Sequence, residues 1–172
     1  MTKFLTRAAL AATVATGLFA APALAAPADT ETFTAKAVIV KPVTMTKLTD
    51  LDFGTTTMNP SLTSATVSVS SAGGVAVCSS AMLTCSGGSR ADFTLSGGVA
   101  GQTIAISYNA PPAVLTHTNG TNTVGFSLNA VSNVLLNSSG AGTFAVGGTI
   151  TVVAATADGA YSANVDVVAN YL

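Results

Sequence analysis

A two-residue beat runs through this chain in short bursts. In the stretch GAYSANVDVVANYL (159–172), Tyr161, Ala163, Val165, Val167, Ala169 and Tyr171 fall on one side of an extended ribbon, and Ser162, Asn164, Asp166 and Asn170 fall on the other. Successive side chains of a strand point to opposite faces, so this beat describes a half-buried sheet element. It recurs at 65–70 (Ala65, Val67, Val69), 92–98 (Phe93, Leu95), 102–109 (Ile104, Ile106, Tyr108), 123–130 (Val124, Phe126, Leu128) and 144–155 (Ile150, Val152, Ala154). Gly, Asn and Pro punctuate these bursts at spacings of roughly ten residues, the pattern of a β-sandwich or barrel with about seven to nine short strands. No 3.6-residue apolar period follows the first 25 residues, so no helix longer than one or two turns is expected.

The opening MTKFLTRAALAATVATGLFAAPALA has a different character. Lys3 and Arg7 form a basic start, Ala8 to Phe19 an apolar run, and Ala23-Leu24-Ala25 a small-residue cleavage site. Residues 1–25 therefore read as a signal peptide, with a mature start at Ala26 and an exported protein. The apolar run falls short of the roughly 20 residues a membrane span needs. Once Lys3 and Arg7 are removed, four basic residues stand against seven acidic ones. That surface is too weakly charged, and of the wrong sign, for nucleic acid or an anionic membrane. Low charge with abundant Val, Thr and Ala favours sheet, and the regular apolar alternation argues against disorder. Residues 42–172 are expected to form one β-sandwich domain, with 26–41 as an N-terminal extension or first strand.

Cys78 and Cys85 are the only cysteines, in VCSSAMLTC. In an exported chain the expectation is a disulfide closing a small loop, since the spacing fits neither a CxxC redox pair nor a zinc site. Other chemistry is sparse. His117 sits alone in the turn-like LTHTNGTN, with no G-x-S-x-G elbow to supply a nucleophile. Asp50 and Asp52 flank Leu51 on one strand face, where turn capping or edge charge is the plain role. Calcium-loop spacing is absent, and the Gly-rich stretches lack the strand–loop–helix setting of a phosphate cradle. Asn119 and Asn137 head N-x-[ST] triplets that read as incidental. The chain has no tryptophan, which weakens a sugar-stacking platform. No catalytic residue, metal or cofactor is expected.

Three stretches resemble a known family. LTDLDFGT (48–55), FAVGGTITV (144–152) and DGAYSANVDVVANY (158–171) resemble, in order, the motifs of the secreted bacterial family catalogued as domain of unknown function 4402. Ala163 stands where that pattern usually has glycine. The early F-G and the late G-x-Y-x-x-x-V-x-V-x-x-Y are also similar, more loosely, to the spore-coat-U-like pilins of archaic chaperone–usher pili. Those subunits usually tie their first strand to a later one by a disulfide, whereas Cys78 and Cys85 lie close together mid-chain. The resemblance implies an immunoglobulin-like β-sandwich with a structural or adhesive role at the cell surface, and it transfers no catalytic residue.

Two functions follow as expectations. In the first, the protein is a pilin-like subunit of a surface fibre. Thr32 to Lys41, with Phe33, Ala35, Ala37 and Ile39 on one face, is then a strand donated to a neighbour's groove. The terminal strand, with Tyr161, Val165, Val167 and Tyr171, forms the groove wall. The partners are copies of the chain itself, a periplasmic chaperone and an outer-membrane usher. Alternatively, Thr32–Lys41 is the domain's own first strand, which Val38 and Val40 favour by making the ribbon apolar on both faces. Both hold if the strand swaps between chains. In the second function, the protein is a self-contained secreted β-domain that binds carbohydrate or protein at the envelope through the loops around His117 and Asn137.

Overall fold

The computed structural model describes residues 29–109 and 111–172, so the expected signal peptide at 1–25 lies outside the described residues. Two units are distinguished, Met1–Ala37 and Val38–Leu172. In the first, residues 29–37 carry no regular secondary structure. The second holds every ladder.

Thirteen strands and no helix occur among the described residues. They are β1 (Thr44–Thr49), β2 (Thr55–Met58), β3 (Ser64–Val69), β4 (Ala76–Cys78), β5 (Leu83–Ser86), β6 (Ala91–Ser96), β7 (Thr103–Asn109), β8 (Val114–His117), β9 (Thr123–Asn129), β10 (Asn133–Leu135), β11 (Gly142–Val153), β12 (Tyr161–Ser162) and β13 (Asp166–Tyr171). The count exceeds the seven to nine read from alternation because β2, β4, β5, β8, β10 and β12 span only two to four residues. Segments that short carry too few alternations to show in sequence.

The main sheet has eight strands. Its path runs β1-β6-β11-β9-β8-β12, and β3 pairs with both β11 and β4. The twelve-residue β11 is its spine, pairing first with β6 (Phe144↔Phe93) and then with β3 (Ile150↔Val67), while β9 lies along its other side (Ile150↔Phe126). Two small sheets cover the inner face. The three-stranded sheet β10-β7-β13 packs Ile104, Ile106 and Val134 against Phe93, Leu95 and Val146 of the main sheet. The two-stranded sheet β2-β5 lays Leu83 and Met58 over Val67, Phe126 and Ile150. This is a β-sandwich with two neighbouring cores, and Leu51 and Leu128 pack against both. Phe93 and Phe144 stack at 4.8 Å in one core, and Phe53 meets Phe126 edge-on at 6.1 Å in the other.

The disulfide expected between Cys78 and Cys85 is formed, with a Cα–Cα distance of 5.8 Å. It joins β4 of the main sheet to β5 of the small sheet, which fits an oxidising compartment and an exported protein. No helix among the described residues is long and apolar enough to cross a membrane.

Candidate functional site

Every strand pair among the described residues is antiparallel, and each small sheet of the covering layer ends in strands paired on one side only, β10 and β13 in one and β2 and β5 in the other. β13 pairs only with β7, and β2 pairs only with β5. Between them opens a cleft of about 1470 Å³ lined by Thr55–Met58 of β2, by Asp166 and Val167 at the start of β13, and by the approach residues 156–165. Its floor is the inner face of the main sheet, where Phe93, Val146, Phe126 and Ile150 point inward on the apolar phase of their strands. The covering layer is open along this line. A free sheet edge presents unpaired N–H and C=O groups, and here two such edges flank an apolar floor.

Rim charge is one-sided. Asp50, Asp52, Asp158 and Asp166 line the cleft with one cation, Lys47. Lys47 pairs with Asp50, and the remaining ion pair among the described residues is Arg90–Asp92 at 2.9 Å. Asp52, Asp158 and Asp166 thus have no salt-bridge partner among the described residues.

Comparison with known proteins places the chain. The sequence model of a family described as domain of unknown function (DUF4402) matches residues 43–171. The chain belongs to the DUF4402 family. No curated protein and no solved structure matches it. The DUF4402 region begins at Val43, so it takes in every strand and leaves out Thr32–Lys41.

The geometry explains the motifs of the DUF4402 domain. In Leu51-Asp52-Phe53-Gly54 the chain leaves β1 in the main sheet and enters β2 in the covering layer. Leu51 packs beneath both cores, and Phe53 is buried against Phe126. Asp52 makes a turn by accepting from Gly54 N at 2.8 Å, and its backbone bridges to Ser89. Gly54 has φ +67°, and a Cβ there would lie 2.2 Å from Ser86 O of β5. Only glycine fits, because the turn needs a left-handed residue pressed against a neighbouring strand. In Gly159-Ala160-Tyr161 the tyrosine donates its phenol hydrogen to Ala157 O at 2.7 Å, closing the loop on itself.

That loop is held by His117. Asn119 N donates to His117 Nδ1 at 2.9 Å, so the ring's proton sits on Nε2, which faces Asp158 O at 2.9 Å. Tyr161 meets the ring edge-on at 4.9 Å, and a Cβ on Gly159 would fall 1.9 Å from Nε2. Both ring nitrogens are committed to binding backbone. Asp50 and Asp52, read as a pair on one strand face, separate into the Lys47 pair and the turn before Gly54.

The sequence places Tyr161, Val165, Val167 and Tyr171 on one terminal ribbon, and the structure divides them. Tyr161 lies in β12 opposite His117 in the main sheet, while Val167 and Tyr171 lie in β13 opposite Tyr108 and Ile104 in the other layer. The chain crosses between layers at Ala163–Val165, where no ladder forms. Tyr161, Val165 and Val167 line the cleft. Tyr171 serves elsewhere: its phenol donates to Lys41 O at 2.7 Å and accepts from Val99 N at 3.0 Å. Alternation cannot show such a crossing, because the side-chain phase runs on unbroken while the hydrogen-bond partner changes.

Phe33, Ala35, Ala37 and Ile39 are all exposed, Phe33 at 90% and Ile39 at 94%, and no residue from 29 to 43 pairs in a ladder. Sequence reasoning did not find β2, the second edge of the cleft, because TTTM has no apolar alternation. Tyr108 also lines the cleft, donating to Val131 O at 3.1 Å, and burial pushes its phenol above the ordinary value of 10.0.

Proposed function

We propose that this DUF4402 protein is a pilin-like subunit of a bacterial surface fibre, in which Thr32–Lys41 of one copy enters the cleft of the next as an added strand. The observation that carries the reading is the opening between the free edges of β2 and β13 over an apolar floor. An added strand would ladder with an edge through its backbone and drop every second side chain onto the floor. Thr32–Lys41 has the matching form. It is long enough, its odd positions from Phe33 to Ile39 are apolar, and those side chains are exposed.

Charge supports the same occupant. The segment carries Lys36 and Lys41, and the cleft carries Asp52, Asp158 and Asp166 without salt-bridge partners among the described residues. Such rim charges contribute more to encounter rate and register than to affinity. An open apolar cleft also needs a holder before assembly. A periplasmic chaperone that lends a strand, with an outer-membrane usher as the site of exchange, would supply one. For the reading as a self-contained carbohydrate- or protein-binding domain there is less support, since Phe33 is the only exposed aromatic among the described residues.

The test compares residues 26–172 with a version lacking 26–41, by sizing and negative-stain microscopy. Polymers, or a monomer that needs a chaperone, are expected from the first. The shortened form, which keeps every ladder, is expected to bind a synthetic TFTAKAVIVK peptide. A stable monomer that unfolds on truncation and is not rescued by the peptide would overturn the reading.

A further inference from the structure

The disulfide occupies an unexpected place for a simple loop staple. Cys85 lies on β5 directly across the ladder from Thr56 of β2, the strand that forms one lip of the cleft. Thr56 Oγ1 sits 4.0 Å from Cys85 Sγ. Cys78 lies on β4, whose partner is β3 of the main sheet (Cys78↔Val67). The bond therefore spans from the main sheet to the middle of the two-stranded β2–β5 ribbon. Polar ties between this ribbon and the rest of the fold lie at its Ser86 end. There Asp52 and Ser89 form an isolated bridge, and Ala76 N donates to Gly87 O at 3.1 Å. At the other end Asn59 N donates to Met82 O at 2.9 Å, a bond within the ribbon itself. A two-stranded ribbon has little stability alone, and β2 has no second neighbour to hold its position.

We propose that the Cys78–Cys85 disulfide is the positioning element of the cleft: it fixes the free edge of β2 where an incoming strand can pair, so that strand acceptance depends on oxidation. This rests on the fibre reading for the identity of the incoming strand, but the effect on β2 stands apart from it. Closure proceeds by thiol–disulfide exchange. The two thiols give two electrons and two protons to a disulfide-bearing oxidant, which leaves as two thiols, and the Cys78–Cys85 bond forms. Before that step the main sheet and the β10-β7-β13 layer can fold with the ribbon held to them by the apolar packing of Phe53, Met58, Leu83 and Cys85 and by the polar ties at its Ser86 end. A reduced chain then carries a loose lip, and oxidation completes the groove.

The experiment follows amide hydrogen exchange across residues 26–172 in the oxidised form, after reduction with dithiothreitol, and in the C78S/C85S variant. Labelled TFTAKAVIVK is titrated into each. On reduction, Thr55–Met58 and Leu83–Ser86 should exchange at least about tenfold faster, with β3, β9 and β11 unchanged. Peptide binding should weaken by a similar factor. If the ribbon loosens while the oxidised protein never binds peptide, the positioning role stands and the fibre reading falls. If exchange in the ribbon and peptide binding are both unaltered, the positioning role is wrong and the fibre reading stands. Loss of protection in every sheet at once would also overturn it, because the bond would then be a staple for the whole fold.

Discussion

Replacing Ile39 with Asp separates the two roles open to Thr32–Lys41 most sharply. Ile39 is 94% exposed, so the isolated chain gains almost nothing from it, while a neighbour's cleft could bury the whole side chain. Full burial of such a side chain stabilises by about 1.5–3 kcal/mol, which corresponds to roughly a 10- to 150-fold change in binding. A carboxylate placed over Phe93, Phe126 and Ile150 adds a desolvation cost of its own, so this range is a lower bound. The assay titrates labelled TFTAKAVIVK and TFTAKAVDVK into the form lacking 26–41, and compares Ile39→Asp with wild type by negative stain and thermal denaturation. Expected are weak or absent binding of the variant peptide, no fibres, unaltered export, and a monomer stability within about 0.5 kcal/mol of wild type. Normal fibres would refute the assignment of Ile39 to the donor face. A clear loss of monomer stability would do so as well, because it would mean the side chain is packed within its own domain.

Gly54→Ala should cost about 2 kcal/mol or more, read from the denaturant midpoint, since the new Cβ meets Ser86 O at 2.2 Å on a backbone with φ +67°. Tyr108 gives a pH dependence whose sign is fixed by its raised pKa: the neutral phenol is favoured in the fold, so its contribution is full below 10.0 and is lost as pH rises above it. A series of denaturant midpoints from neutral to alkaline pH should show that fall, and Tyr108→Phe should flatten part of it. Lys36→Glu should slow peptide capture and remove most of its salt dependence, because wild-type capture draws Lys36 and Lys41 toward Asp52, Asp158 and Asp166, and the variant segment carries no net side-chain charge. Stopped-flow association rates at low and high salt check this.

The alternation of apolar and polar side chains determined much of this molecule without help. Val67, Val69, Phe93, Leu95, Ile104, Ile106, Val124, Phe126, Ile150 and Val152 all read as inward-facing, and all are buried. Their phase is a local property of extended backbone, so sequence reveals it. The paired cysteines likewise announced their bond, because two thiols at that spacing fit neither a CxxC redox pair nor a zinc site. The candidate site is another matter. β2 is a run of Thr-Thr-Thr-Met that becomes a strand only because Gly54 turns it onto β5. The ribbon from Tyr161 to Tyr171 keeps one side-chain phase throughout, yet it lends Tyr161 to the main sheet and Val167 to the opposite layer. Which strand lies beside which is settled by hydrogen bonds between residues far apart in sequence, and side-chain periodicity carries no record of them. The cleft exists where two such pairings stop, at the free edges of β2 and β13, and so it came into view only with the tertiary structure.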